Sequence, residues 1–211
     1  MRSPRAVGVI VLTAFVVGVS GCGQSVAPAS STASSPGAST PSAAPSISPP
    51  KGTRTVAVAD GPIGVASDGT AVWVVSGDAN TVSRIGPTNV DITGTVSAGA
   101  TPLRVAVGLG AAWVTSFREG ALLRIDPTTA KVTGSVAIGK GAEGVTTGFG
   151  SVWVIAQDAG ELVRVDPRTL QVIARFDVGV GARLALAGPD RIYVSHYARN
   201  ELLAIDPNTV K

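Results

Sequence analysis

Among 211 residues there is one cysteine, one histidine and only 4% aromatic residues. A single cysteine excludes an intramolecular disulfide and any cysteine-based zinc site. A single histidine, His196, leaves one candidate for every histidine general base or Ser-His-Asp arrangement. No cluster of four or more Lys or Arg occurs, and no basic stretch interleaved with aromatics, so the electrostatic footprint of a nucleic-acid binder is missing. No window carries the 3.6-residue apolar period of an amphipathic helix, and Gly and Pro punctuate every segment after residue 50. Charge is absent altogether from residues 23 to 50, where only Gln24, Val26 and Ile47 fall outside the Ser/Ala/Pro/Thr/Gly set. Such a segment cannot bury enough apolar surface to offset its ordering entropy. It reads as a tether, reaching on the order of 30 Å as a coil.

The N-terminus carries an address. Arg2 and Arg5 precede an uncharged apolar run from Ala6 to Val19, followed by Ser20 and Gly21. That is the layout of a secretory signal, and the run is too short for a membrane span, which takes roughly 20 residues. Val19-Ser20-Gly21-Cys22 resembles the lipobox of bacterial lipoproteins, which implies lipidation of Cys22 and anchoring to the extracytoplasmic side of a cell membrane. The expected division is a signal peptide over 1–21, a lipidated Cys22 with its tether over 22–50, and a folded domain over 51–211. Of the 17 basic residues the leader removes two, leaving near balance with the 14 acidic ones. The overall positive charge therefore has no bearing on nucleic acid.

The folded part says one thing four times. "AVWVVSGDANTVSRIGPTNVDITGTVSAG", "AAWVTSFREGALLRIDPTTAKVTGSVAIG", "SVWVIAQDAGELVRVDPRTLQVIARFDVG" and "RIYVSHYARNELLAIDPN" follow one another at a spacing of forty residues without insertion. Trp73, Trp113, Trp153 and Tyr193 share one column; Gly86, Asp126, Asp166 and Asp206, each followed by proline, share another. Each unit holds short β-branched or aromatic runs bounded by Gly, Asp, Asn and Pro, four runs to the unit. Four strands in about 40 residues is the blade of a β-propeller. The expected fold is therefore all-β, with four 40-residue, four-stranded blades.

The consensus "GVxxGxGxVWVxxxxxGxLxRIDPxTxxVxxxxxVG" resembles the repeats of YVTN-type and virginiamycin B lyase-like (streptogramin lyase-like) propellers over residues 53 to 211. That resemblance implies an exported propeller. It usually implies six to eight blades, whereas this chain holds material for four. "TRTVAVADG" aligns with "TGSVAIGKG", so Thr53 to Val58 reads as an outermost strand displaced to the front of the domain. Three arrangements follow: that strand completes the fourth blade and closes a ring, the half-ring pairs with another chain, or the repeats belong to a larger propeller.

Blade connectivity sorts the turns into two faces. One carries the Asp-Pro turns, where proline presets φ and aspartate bonds nearby amides, so Asp126, Asp166 and Asp206 have a complete structural explanation. On the other face the units differ. Arg104, Glu143 and Arg183 fall near the expected channel mouth, with His196 further out beside Asp78, Asn80, Arg118, Glu119, Gln157, Asp158, Tyr197 and Arg199. These are the candidate ligand-binding positions, set against the alternative of ordinary solvated loops. Two guanidinium groups at one opening favour an anionic or carboxylate ligand, unless Glu143 neutralises one of them. His196 reads as a solvated loop residue, since its column otherwise holds Ser76, Ser116 and Ala156.

Two further signals dissolve on inspection. Gly139-Lys140-Gly141-Ala142-Glu143-Gly144 matches a dinucleotide fingerprint, but no helix follows to receive a pyrophosphate. The tryptophan column, mid-strand beside valines, reads as packing between blades and not as a stacking surface. The expected function is a membrane-anchored lipoprotein whose propeller binds a protein or small molecule, without cofactor or catalysis. The alternative is a metal-dependent lyase-like or lactonase-like propeller enzyme. The resemblance implies that streptogramin lyases use histidines, an acidic residue and magnesium, a set that one histidine cannot supply.

Overall fold

The computed structural model describes residues 49–209, so Cys22, the leader and most of the tether lie outside the described residues. Fifteen strands follow one another. The first blade is β1 (Pro62–Ser67), β2 (Val72–Ser76), β3 (Thr81–Ile85) and β4 (Ile92–Ser97); the second is β5 (Pro102–Gly108), β6 (Ala111–Ser116), β7 (Ala121–Asp126) and β8 (Lys131–Ala137). The third is β9 (Ala142–Gly148), β10 (Ser151–Ala156), β11 (Glu161–Val165) and β12 (Val172–Asp177), and the last is β13 (Ala182–Ala187), β14 (Ile192–His196) and β15 (Glu201–Ile205). Each sheet is an antiparallel meander in chain order. The innermost strands β1, β5, β9 and β13 pack one against the next.

The core lies between blades. Alternation along each strand gives every sheet two apolar faces, and one face of each blade meets the opposite face of the next. Trp73, Val75, Val82 and Ala98 pack on Val105, Ala112, Val114 and Ile125. Trp113, Leu122 and Ile138 repeat this against Val145, Val152 and Val154, and Trp153, Ile155, Leu162 and Val178 against Ile192 and Val194. The three tryptophans are fully buried, as the packing reading requires. Trp113 and Trp153 donate Nε1–H to the carbonyls of Gly108 and Gly148, both at 3.0 Å.

A second line of contacts ties the blades at the rim. Arg124 Nη1 donates to the carbonyl of Pro167 in the next blade at 3.2 Å, and Arg164 Nη1 to that of Pro207 at 3.2 Å. The arginine of the "RIDP" run thus holds the following blade's Asp-Pro turn, a role that the local motif alone does not disclose. In those turns Asp126 Oδ1 accepts from the amides of Thr128 and Thr129, and Asp166 Oδ1 from those of Arg168 and Thr169. Each turn then ends on a residue at positive φ: Val90, Ala130 or Leu170.

One expectation is corrected here. The fourth sheet has three strands among the described residues, and Thr53–Val58 forms no ladder with β15. The segment stays with the first blade, where Ala59 O accepts from Ser76 Oγ at 2.9 Å and Asp60 O from Ala79 N at 3.2 Å. The outward faces of the first and last blades stand in water: Val65 is 70% exposed and Leu202 67%. The described array is accordingly a partial propeller, not a ring closed within one chain, because a strand adds only to an edge about 4.8 Å away.

Candidate functional site

The hydrogen bonds outside the sheets confirm the sorting of the turns. The β2–β3 turn meets the segment entering β1 through Gly77 N to Gly61 O, and Phe117 N to Thr101 O, Gln157 N to Gly141 O and Tyr197 N to Gly181 O repeat the contact in each blade. These two turn types share the face at which β5, β9 and β13 begin, where Arg104, Glu143 and Arg183 lie.

The structure brings those three together. Glu143, whose side chain is 1% exposed, accepts from Arg183 through two bonds, Nη2 to Oε1 at 2.8 Å and Nε to Oε2 at 3.2 Å. Arg104 Nη2 approaches the same Oε1 at 3.5 Å while its Nη1 donates to Leu103 O at 3.1 Å. The hydrogen bonds and charge of Glu143 hold the Arg183 guanidinium above its ordinary value. One carboxylate is shared by two cations, so the cluster keeps a net charge of one and Arg104 keeps the freer donors. The sequence left open whether Glu143 neutralises an arginine; the geometry shows it paired chiefly with Arg183.

His196 lies at the end of β14 and lines the same cleft, about 520 Å³, with Arg104, Glu143, Arg183, Ser195 and Tyr197. Its environment differs from the solvated loop expected. It is 2% exposed, and neither ring nitrogen has a hydrogen-bond partner among the described residues. The loop before β13 closes on it: a Cβ placed on Gly179 would stand 3.1 Å from Nε2, and one on Gly181 3.3 Å from Cε1. Ser76 and Ser116, in the same column, instead bond the carbonyls of Ala59 and Ala100. An imidazole there is too large for that contact and extends under the loop, where a buried group without a partner costs about 1–3 kcal/mol.

The remaining candidates of this face have framework tasks. Asn80 Oδ1 accepts from Thr101 N at 2.7 Å, and Glu119 Oε2 from Ser116 Oγ at 3.1 Å. Asp78, Asp158 and Arg199 pack on Gly61, Gly141 and Gly179 of the adjoining links. Among the described residues, no three of His, Cys, Asp and Glu come together as a metal-binding group.

Comparison with protein-family models gives no match, and comparison with curated protein sequences gives none. Solved structures are similar. A streptogramin B lyase aligns at 18% identity over 74% of this chain and 55% of that one, with TM-score 0.64. The hydrazine synthase of Kuenenia stuttgartiensis aligns at 14% identity over 75% of this chain and 53% of that one, with TM-score 0.59. The computationally designed protein Ika4 aligns at 9% identity over 71% of this chain and 93% of that one, with TM-score 0.60. This chain thus spans about half the length of the lyase and synthase chains it matches. At these identities the likeness is one of fold, and the fold is the β-propeller that the streptogramin B lyases also have.

Proposed function

We propose that this protein is an exported lipoprotein whose propeller serves as a binding scaffold, taking a small anionic group in the cleft formed by Arg104, Glu143, Arg183 and His196. The observation that supports it most is the cluster itself. Glu143 orients Arg183 by two bonds and holds Arg104 loosely, so a cation with free donors faces the cleft beside an imidazole that lacks a partner. Guanidinium donors suit carboxylate or phosphate, and an acceptor oxygen reaching His196 would relieve the buried ring. Attachment through Cys22 rests on the lipobox-like sequence alone.

Calorimetric titration with succinate and with inorganic phosphate tests the cleft. Binding is expected, weakened about tenfold or more in Arg104→Ala, and unchanged in Asp126→Asn on the opposite face. Binding lost in Asp126→Asn and kept in Arg104→Ala would reverse the assignment of faces. Replacing Cys22 with serine should abolish lipid labelling and detergent partitioning. The metal-dependent enzyme reading makes a different forecast: magnesium would raise the melting temperature by binding the native state, whereas the scaffold reading expects no change.

A further inference from the structure

The two open faces of the array are the two halves of an interface that the chain already builds three times. On one side of each interior seam stand Trp113 and Leu122, or Trp153 and Leu162, all fully buried; blade four offers Tyr193 and Leu202 at those positions, with Leu202 67% exposed. On the other side stand Val105 and Val145, each 8% exposed; blade one offers Val65 there at 70%. The edges match as well. β15 lacks an outer neighbour, while Thr53–Val58 has the residue pattern of an outer strand and forms no ladder. Its Val56 stands in the column of Val96, Val136 and Phe176, and its Val58 in that of Ala98, Ile138 and Val178, the last three buried between blades.

We propose that two copies of this chain associate head to tail. Blade four of each packs on blade one of the other, and Thr53–Val58 of each adds as the fourth strand to its partner's β15. The occupant is a second copy because each face is complementary to the opposite face of the same chain, not to itself. Heterologous contacts of this kind either close or polymerise. Two copies give eight blades, inside the range of about four to eight in which propellers close, whereas three copies exceed it. The register follows from the third blade, where Leu162 pairs with Phe176 and Val163 with Arg175; one period on, Leu202 faces the partner's Val56. The apolar wall of the cleft, Leu184 and Leu202, is covered in this assembly, and Arg104, Glu143 and Arg183 are left on the shared channel.

The test is the mass of the 211-residue chain by sedimentation, expected at twice the 21.0 kDa of one copy. Val65→Lys and Leu202→Glu, both at positions exposed in the single chain, should each give the single mass with unchanged circular dichroism. Mixing the two should restore the dimer by pairing intact and oppositely charged faces. Val132→Glu, on an outer strand away from both faces, should leave the dimer intact. A cross-link reads the register: Val56→Cys with Leu202→Cys in a Cys22→Ser background should oxidise to a covalent dimer. Wild type at single mass, larger polymers, a loss of association from only one of the two face variants, or an internal cross-link within one chain would each overturn the proposal.

Discussion

Glu143 offers a test of which partner in the arginine cluster carries the buried charge. Its side chain is 1% exposed, against 28% for Arg104 and 43% for Arg183. Two unit charges 4 Å apart attract by about 4 kcal/mol at an effective dielectric of about 20, and desolvation of the ions takes back a comparable amount. The intact cluster is therefore worth little on balance, but removing its parts is unequal. With Glu143→Gln the guanidinium groups, already partly in water, rehydrate at a cost of about 1–2 kcal/mol. With Arg104→Met and Arg183→Met, which keep most of the side-chain stems, a carboxylate stays buried without a partner, at about 3–5 kcal/mol. Adding Glu143→Gln to that double variant should then recover about 2 kcal/mol or more, since the stranded charge is gone. Urea unfolding followed by tryptophan fluorescence reports all of these, because the three tryptophans are buried between blades. If Glu143→Gln costs as much as the double arginine variant, or the triple variant is no more stable than the double, the charge is not confined as described.

Trp113→Ala should cost about 3–5 kcal/mol in the same assay, and Trp73→Ala about 1–2 kcal/mol less, because the Trp73 Nε1–H has no acceptor to lose; a Trp113 loss below about 1 kcal/mol would revive a stacking role for that column. Val90 is β-branched at a φ of 56–60° in the same class as Asn80, its own value being 60°, so Val90→Asn should stabilise by about 1 kcal/mol, and a lowered urea midpoint would contradict this. The carboxyls of Asp126 and Asp166 are held below the usual aspartate value, chiefly by the amides of Thr129 and Thr169. A depressed folded value means that their contribution is complete above the unfolded value of about 3.9 and lost as pH falls through the folded one. Thermal stability should accordingly hold from neutral pH to about pH 4 and fall below it, and the Asp126→Asn and Asp166→Asn double variant should show a shallower fall; an identical acid limb would remove these turns from the account.

The forty-residue period made most of the fold legible, because a column that repeats reports one environment sampled several times. The tryptophan column implied burial between blades before any coordinate, and the Asp-Pro column implied turns closed by their own carboxylates; both are found. The arginine of "RIDP" was visible as a repeated letter but not as a link, since its acceptor lies in the next blade, more than forty residues on. The burial of His196 was hidden for a related reason. Its enclosure depends on Gly179 and Gly181 of a different link, and a column of Ser, Ser and Ala gives no measure of the space under that loop.

Departures from the columns are of two physical kinds, and they fall in different places. Arg104 replaces the glycines of its column, Gly64 and Gly144, and Glu143 and Arg183 replace the apolar Ile63 and Leu103. These are changes of residue in an environment that stays the same, and they converge on one cleft. Val65 and Leu202 are the reverse, ordinary members of apolar columns that find themselves exposed because the environment has changed. A residue altered in a constant setting has been fitted to something other than the framework, which points to a ligand. An unaltered residue in an altered setting still matches the surface its column normally meets, which points to another blade. The two kinds of departure therefore call for two different occupants, and the calorimetric and sedimentation experiments read them separately.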